Sequence, residues 1–164
     1  MRVIITLALA LTTVFTTAGA EEPPMVPIKR LSLDFATRAA VATVEACREK
    51  GMNVTVAIVD RGGRLQVLLR DTLAMPLTNT IAEQKAYAAL NFNVPTSEME
   101  DRFTSPFSPG KVQGIILSAG GLPISAGGSI VGGIGVSGAP SGEVDEECAQ
   151  AGIDEIIDDL EMAE

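Results

Sequence analysis

The chain contains no histidine and no tryptophan among its 164 residues, and it has only two cysteines. Without histidine there is no Ser-His-Asp or Cys-His arrangement, no histidine general base and no histidine ligand for a metal or a haem iron. Cys47 and Cys148 alone are too few for a zinc site of the usual composition. These absences exclude most common enzyme designs and favour a non-catalytic binding protein.

Basic residues are also scarce. The chain has 12 lysines and arginines against 21 aspartates and glutamates, which gives a formal net charge of −9. This acidic balance argues against nucleic acid and anionic membrane surfaces as partners. The acidic runs Asp145 to Glu147 and Asp158 to Asp159 are interpreted as solvated helix surface, and the overall acidity is assigned to solubility.

An uncharged run lies at the N terminus, where Met1 and Arg2 precede residues 3–17 and three small residues end at Ala20. This order is typical of a signal peptide over residues 1–20. The run is shorter than the ~20 residues that span a bilayer, so a membrane anchor is disfavoured. Cleavage after Ala20 predicts a periplasmic or secreted protein with no membrane insertion.

The two cysteines belong to the mature part of such a protein, and an oxidising compartment allows them to pair. Cys47 lies late in the first predicted helix and Cys148 early in the last one. If these helices lie antiparallel on one face of a sheet, the two cysteines are neighbours. Two outcomes remain open at this point, namely a disulfide that closes a long loop or two buried free thiols.

Local patterns predict one domain over residues 31–164, after an extended and mobile lead-in over residues 21–30 that contains three prolines. The expected fold class is α/β, of the α+β kind, with a five-stranded antiparallel sheet flanked by helices. The predicted elements are a helix from Ser32 to Gly51, a hairpin of strands Asn53–Asp60 and Arg64–Arg70, a helix from a Thr80/Glu83 capping box to Phe92, a short helix Ser97–Phe103, strands Lys111–Ser118, Leu122–Ser125 and Ser129–Ser137, and a helix capped by Ser141.

The most informative stretch runs from Ser118 to Gly142, where many glycines alternate with large aliphatic residues. Flexible linkers lack such aliphatic residues, so the glycines indicate tight turns and close backbone approach inside a sheet. The run Gly132 to Gly135 lies in a predicted strand and is not followed by Lys-Ser or Lys-Thr, which disfavours a phosphate-binding loop. A glycine-lined crevice is expected here.

Lys85 interrupts the apolar face of its predicted helix, and we expect its amine at the mouth of this crevice. An amine beside backbone N–H groups would attract a carboxylate. Each candidate side chain also has a purely structural explanation: the lysine can extend to the surface, Asp60 can stabilise a turn and Tyr87 can pack. The predicted ligand-binding residues are Asp60, Arg70, Lys85, Tyr87, Gly120, Gly121 and Pro123.

Several of these motifs, in this order, resemble the GlcG/HbpS family of haem-binding proteins, which also forms the C-terminal domain of PduO-type proteins. The resemblance covers about residues 31 to 157. It implies a profilin-like α/β/α sandwich, a homo-oligomer and binding of haem or a related tetrapyrrole. The residues that carry it are Val54 to Gly63, Ala82 to Phe92, Pro95-Thr96, Gly120 to Ile124, Gly132 to Gly138 and Asp145 to Gly152.

If haem binds, the iron ligand must come from a residue other than histidine. The candidates are Tyr87, Met75, Met99, Lys85, a threonine oxygen or water. Two further functions remain open: a binder of a small organic acid in the same crevice, and an oligomeric accessory or scaffold protein that binds no small molecule.

Overall fold

The computed structural model describes residues 23–106 and 108–163. The predicted signal peptide, residues 1–20, lies outside the described residues. Residues 23–30 lead into the first helix without forming a helix or a strand. Within the two described ranges, no helix combines the length and the apolarity that are needed to cross a membrane.

The described part of the chain contains three α-helices: α1 (Leu33–Glu49), α2 (Thr78–Phe92) and α3 (Gly142–Met162). The Ser32 hydroxyl caps α1 as predicted, because its oxygen accepts a hydrogen bond from the N–H of Phe35 at 3.4 Å. The predicted capping box of α2 is wrong. Helix α2 begins two residues before Thr80, and no side chain caps its first turn.

Four strands among residues 23–106 and 108–163 form one antiparallel sheet: β1 (Thr55–Asp60), β2 (Leu65–Arg70), β3 (Gly121–Ala126) and β4 (Ser129–Ser137). Their spatial order is β2-β1-β4-β3, so β1 and β4 are central and β2 and β3 form the edges. Thr55 of β1 pairs with Ser137 of β4, and the pairing continues to Asp60 opposite Gly132.

The predicted fifth strand, Lys111–Ser118, is wrong. This segment begins as a 3₁₀ turn, Pro109–Lys111, and continues as turns and irregular chain up to β3. Gly114 has a φ of +90°, which interrupts an extended conformation. The predicted short helix Ser97–Phe103 is likewise reduced to a 3₁₀ turn, Thr96–Met99, followed by turns.

The helices cover both faces of the sheet. Helices α1 and α3 pack on one face against large aliphatic residues such as Ile58 and Ile134, whereas α2 packs alone on the other face. The result is a three-layered α/β/α sandwich. The structure joins Cys47 of α1 to Cys148 of α3 by a disulfide, so the pairing that the sequence left open is present.

Candidate functional site

The glycines of β4 that face α2 have no room for a side chain. A Cβ on Gly133 would lie 2.5 Å from the carbonyl oxygen of Ala86, and one on Gly135 would overlap the carbonyl oxygen of Ala82. The helix backbone therefore rests directly on the strand backbone. The space that the sequence assigned to a ligand along these glycines is occupied by α2.

Lys85 of α2 points into the protein and forms an ion pair. Its Nζ donates hydrogen bonds to Oδ2 of Asp145 at 3.0 Å and to the carbonyl oxygen of Val136 at 3.1 Å. Only 5% of the lysine side chain and 4% of the aspartate side chain are exposed. The charge of Lys85 is therefore already balanced by Asp145, which leaves no unpaired cation at this place for an organic acid.

Burial raises the pKa of Asp145, because the loss of hydration outweighs the attraction of Lys85 and the hydrogen bond from the N–H of Ala139. That N–H donates to Oδ1 of Asp145 at 3.0 Å, so both carboxylate oxygens have partners. The pair joins α2 to the first turn of α3 and holds the connection between β4 and α3. It is a structural link as well as a candidate part of a site.

Gly120 lies directly beside this pair. Its φ of +127° favours glycine, and a Cβ there would collide with Nζ of Lys85. The neighbouring carboxylate of Glu146 holds the segment in place, since its Oε1 accepts hydrogen bonds from the N–H groups of Gly120 at 3.1 Å and Ser97 at 2.9 Å. The interpretation of the acidic run 145–147 as solvated helix surface is therefore wrong for Asp145 and Glu146.

A cavity of about 330 Å³, here called the Lys85 cavity, lies beside the ion pair. Lys85 and Asp145 line its inner part. Its remaining walls come from the start of α2, from the segment before β3 and from the connection between β4 and α3. These further lining residues include Met75, Leu77, Ile81, Glu100, Ser137 and Pro140.

Tyr87 lies in a different place, the Tyr87 cleft, which has a volume of about 380 Å³ and lies between α2, the β1–β2 turn and residues 113–114. The tyrosine is 37% exposed. Its ring packs against Gly63, where a Cβ would lie 2.6 Å from Cε2 of the ring. The cleft is also lined by Thr80, so it offers a phenol oxygen and a hydroxyl oxygen.

The structure separates the remaining predicted site residues from both cavities. Asp60 stabilises the β1–β2 turn, where its Oδ1 accepts hydrogen bonds from the N–H groups of Gly62 and Arg64. Arg70 binds carbonyl oxygens of the following loop, including that of Ala74. Pro123 is half-buried in β3 opposite Gly133. Of the predicted set, Lys85, Gly120 and Gly121 are brought together.

Gly121 completes this group because it faces α2. A Cβ at this position would lie 2.5 Å from the carbonyl oxygen of Lys85. Its own N–H donates to Oγ1 of Thr96 at 2.8 Å. Gly121 therefore helps to position the helix turn that carries the lysine.

Within the described parts of the chain, no group of three or more acidic or cysteine side chains is arranged to hold a metal ion. Of the candidate haem ligands, Met99 is fully buried and Lys85 is paired, whereas Met75 is 57% exposed. Tyr87, Thr80 and Met75 are thus the side chains of this set that an external ligand can reach.

The fold is an α/β/α sandwich with two cavities on the α2 side, and sequence comparison assigns the family. The family model described as "Haem degrading protein HbpS-like" matches residues 31–154. The chain therefore belongs to the HbpS-like family.

Relatives of known structure agree with this assignment. One is a crystal structure of a double mutant of HbpS from Streptomyces reticuli, which is 39% identical in sequence to this chain. The match covers 87% of this chain and 97% of that chain, with a TM-score of 0.77. The crystal structure of a PduOC:Heme complex is 29% identical, covers 77% and 95% of the two chains, and has a TM-score of 0.69. A 15.0 kDa protein of Citrobacter freundii from the dhaT-dhaS intergenic region is 29% identical over 136 residues, which are 77% of this chain and 92% of that protein.

Proposed function

We propose that this protein binds haem or a related tetrapyrrole. The observation that carries the proposal is membership of the HbpS-like family together with the likeness to a relative that was crystallised as a PduOC:Heme complex. The absence of histidine means that the iron ligand in this chain differs from the commonest one.

The Tyr87 cleft is the best candidate for the haem site. Phenolate oxygen is an established ligand of haem iron, and the half-exposed Tyr87 supplies one in a cleft that also contains the Thr80 hydroxyl. The arginines Arg61 and Arg64 are exposed and flank the turn at Gly63, which forms one wall of the cleft. The charged residue of the lining itself is Glu83, so we expect the haem carboxylates to turn away from it and toward these two arginines.

The size of the cleft supports assembly of more than one copy around the ligand. Its volume of about 380 Å³ is at the lower end of the range of about 300–1,000 Å³ for small-molecule sites. A macrocycle as wide as haem would extend beyond it and expose an apolar edge. A second copy of the chain covering that edge would make the protein a homo-oligomer.

Hemin titration tests this function and its site together. We expect the wild-type protein to shift the Soret band and to saturate at stoichiometric hemin. Tyr87→Phe removes the phenolate oxygen but keeps the ring, so it should weaken hemin affinity at least tenfold and abolish the tyrosinate-to-iron charge-transfer band. Met75→Leu is the matched control and should bind as the wild type does.

The two parts of the proposal fail in different ways. If the wild type gives no Soret shift, haem binding is wrong. If Met75→Leu loses the shift and Tyr87→Phe keeps it, haem binding stands but the site lies at the Lys85 cavity, which Met75 lines. Light scattering with and without hemin then shows whether hemin binding is accompanied by formation of an oligomer.

Export to the periplasm or beyond the cell is part of the same proposal. The predicted signal peptide and the disulfide between Cys47 and Cys148 both support it, because disulfides persist in oxidising compartments. Intact mass of the protein recovered from a secretion-competent host should correspond to a chain that begins at Glu21. A chain that keeps residues 1–20 in the cytoplasm would contradict export.

A further inference from the structure

We infer a second ligand site in the Lys85 cavity, specific for a small uncharged molecule that has a polar oxygen at one end and an apolar body. This site is separate from the Tyr87 cleft and does not depend on haem binding. The inference follows from the hydrogen-bonding groups that line the cavity, from the charges around it and from its apolar outer walls.

Two buried residues, Lys85 and Ser137, present hydrogen-bonding groups to the cavity. The Lys85 ammonium has three protons, and the protein accepts two of them through Asp145 and Val136. Ser137 lines the same cavity and is only 6% exposed, so its hydroxyl is available to a ligand that enters there. A ligand oxygen that accepts a hydrogen bond from each of these two groups would be stabilised by both.

Both groups lie on the same side of the sheet. Ser137 pairs with Thr55 in the sheet, and Oγ1 of Thr55 lies 2.6 Å from Oγ1 of Thr78 at the start of α2. Lys85 follows Thr78 by two turns on α2, and all of these except Thr55 line the cavity. The lysine and the serine therefore face one shared space.

The charges of the cavity select against ions. Asp145 balances Lys85, and the further carboxylate of Glu100 lies at the wall. An anion would meet two carboxylates and one cation that is already paired. A cation would find the inner end of the cavity occupied by an ammonium that can only donate. A neutral carbonyl or hydroxyl oxygen meets neither obstacle.

The outer walls suit hydrocarbon. Met75, Leu77, Ile81 and Pro140 line the cavity, and Met75 and Leu77 are each 57% exposed where they border it. Covering these side chains with the apolar part of a ligand removes hydrophobic surface from water. With a volume of about 330 Å³, the cavity accepts a ligand at the small end of the usual range.

Three probes of one shape test the charge preference: benzamide, benzoate and benzylammonium. Titration into the mature protein, followed by amide chemical shifts in NMR, gives an apparent Kd for each probe. We expect saturable benzamide binding that shifts residues around Ser137, with benzoate and benzylammonium at least tenfold weaker. Equal or tighter binding of benzoate, or no saturable benzamide binding, would overturn the inference.

Substitutions locate the binding. Ser137→Ala removes one donor and should weaken benzamide at least threefold. Leu77→Trp fills the entrance from an exposed position and should abolish benzamide binding without unfolding the protein. Leu73→Trp is the matched control, since Leu73 is 78% exposed in the same loop and does not line the cavity. If Leu77→Trp and Leu73→Trp bind benzamide equally, the site is not in this cavity. Hemin binding should be the same in both variants, which separates this inference from the proposed haem site.

Discussion

The two faces of the sheet are packed by opposite means. Toward α1 and α3, the strands present large aliphatic side chains, and both Ile58 and Ile134 are fully buried there. Toward α2, the neighbouring positions Gly133 and Gly135 present no side chain, and the helix backbone touches the strand. One strand, β4, takes part in both kinds of packing because its residues alternate between the faces.

This difference shapes the two cavities beside α2, while other clefts lie along α1 and α3. Side chains that interdigitate on the α1 and α3 face fill the core, as is usual for protein interiors. On the other face, close backbone contact fixes the middle of α2, so open space is left only around its ends and sides, among the described residues. Both the Lys85 cavity and the Tyr87 cleft lie on that side. The glycines thus create the sites indirectly, by fixing the helix.

The helices are also linked to one another by different interactions. Cys47 and Cys148 join α1 to α3 covalently on one face, whereas Lys85 and Asp145 join α2 to α3 by charge across the sheet. The disulfide stabilises the protein mainly by restricting the conformations of the unfolded chain. The ion pair stabilises the folded state, and its strength depends on its burial. Perturbing each link in turn separates these two contributions.

Removing the disulfide should have the largest effect. Replacing Cys47 and Cys148 together with alanine frees a loop of sequence separation 101, for which loop entropy predicts a loss of ~4 to 5 kcal/mol in the free energy of unfolding. Denaturant titration of oxidised wild type and of the double variant measures it. The reduced wild type is the control and should match the variant. A loss below ~1 kcal/mol would show that α1 and α3 are held by packing alone.

Breaking the buried ion pair should have the next largest effect. Asp145→Ala leaves the Lys85 ammonium buried without its carboxylate, and we expect the free energy of unfolding to fall by ~3 to 5 kcal/mol. Adding Lys85→Met removes the stranded charge, so the double variant should recover part of that loss. A double variant less stable than Asp145→Ala would mean that the lysine is stabilised mainly by Val136 and not by the pair.

Adjacent residues of β4 allow a one-carbon test of the two faces. Gly135→Ala adds a methyl group against the backbone of α2 and should cost ~3 kcal/mol, near the upper end for overpacking. Ile134→Val removes one carbon from the opposite face and should cost ~0.5 to 1.5 kcal/mol. Thermal and denaturant unfolding of both variants gives the comparison. Equal costs would show that α2 can move away from the sheet, contrary to its close backbone contact with β4.

Much of the fold could be predicted from the sequence, because periodicity and turn residues are local signals. The hairpin of β1 and β2 and the capped start of α1 are confirmed. The expected strand Lys111–Ser118 was wrong because Gly114 adopts a φ of +90°, which interrupts an extended conformation and cannot be read from the apolar pattern around it. The start of α2 was misplaced because the hydroxyl of Thr78 bonds to Thr55 in the sheet, a contact that sequence spacing does not reveal.

The candidate site was predictable only in part. The sequence predicts that Lys85 lies near the glycines, and Gly120 and Gly121 do contact it. Whether a ligand or the helix backbone fills the space along the glycines depends on the distance between α2 and the sheet, which the sequence does not give. Asp145 was assigned to the surface because it lies in an acidic run. A signal was present: Asp145 precedes the buried Cys148 by three residues and the buried Gly152 by seven, so it lies on the inward face of α3.

Two paired carboxylates with opposite pKa behaviour give the last and smallest test. Arg48 lowers the pKa of Asp71, because the exposed guanidinium of Arg48 donates two hydrogen bonds to the Asp71 carboxylate. Burial, in contrast, raises the pKa of Asp145. The contribution of Asp71 is therefore present above its unfolded pKa of about 3.9 and disappears as the pH falls through its lower folded value. Asp71→Asn should reduce the Tm modestly at pH 6, and the difference from wild type should shrink toward pH 2, measured against Asp101→Asn as an exposed control outside the α-helices. A difference that stays constant with pH would show that Asp71 acts through its hydrogen bonds and not its charge.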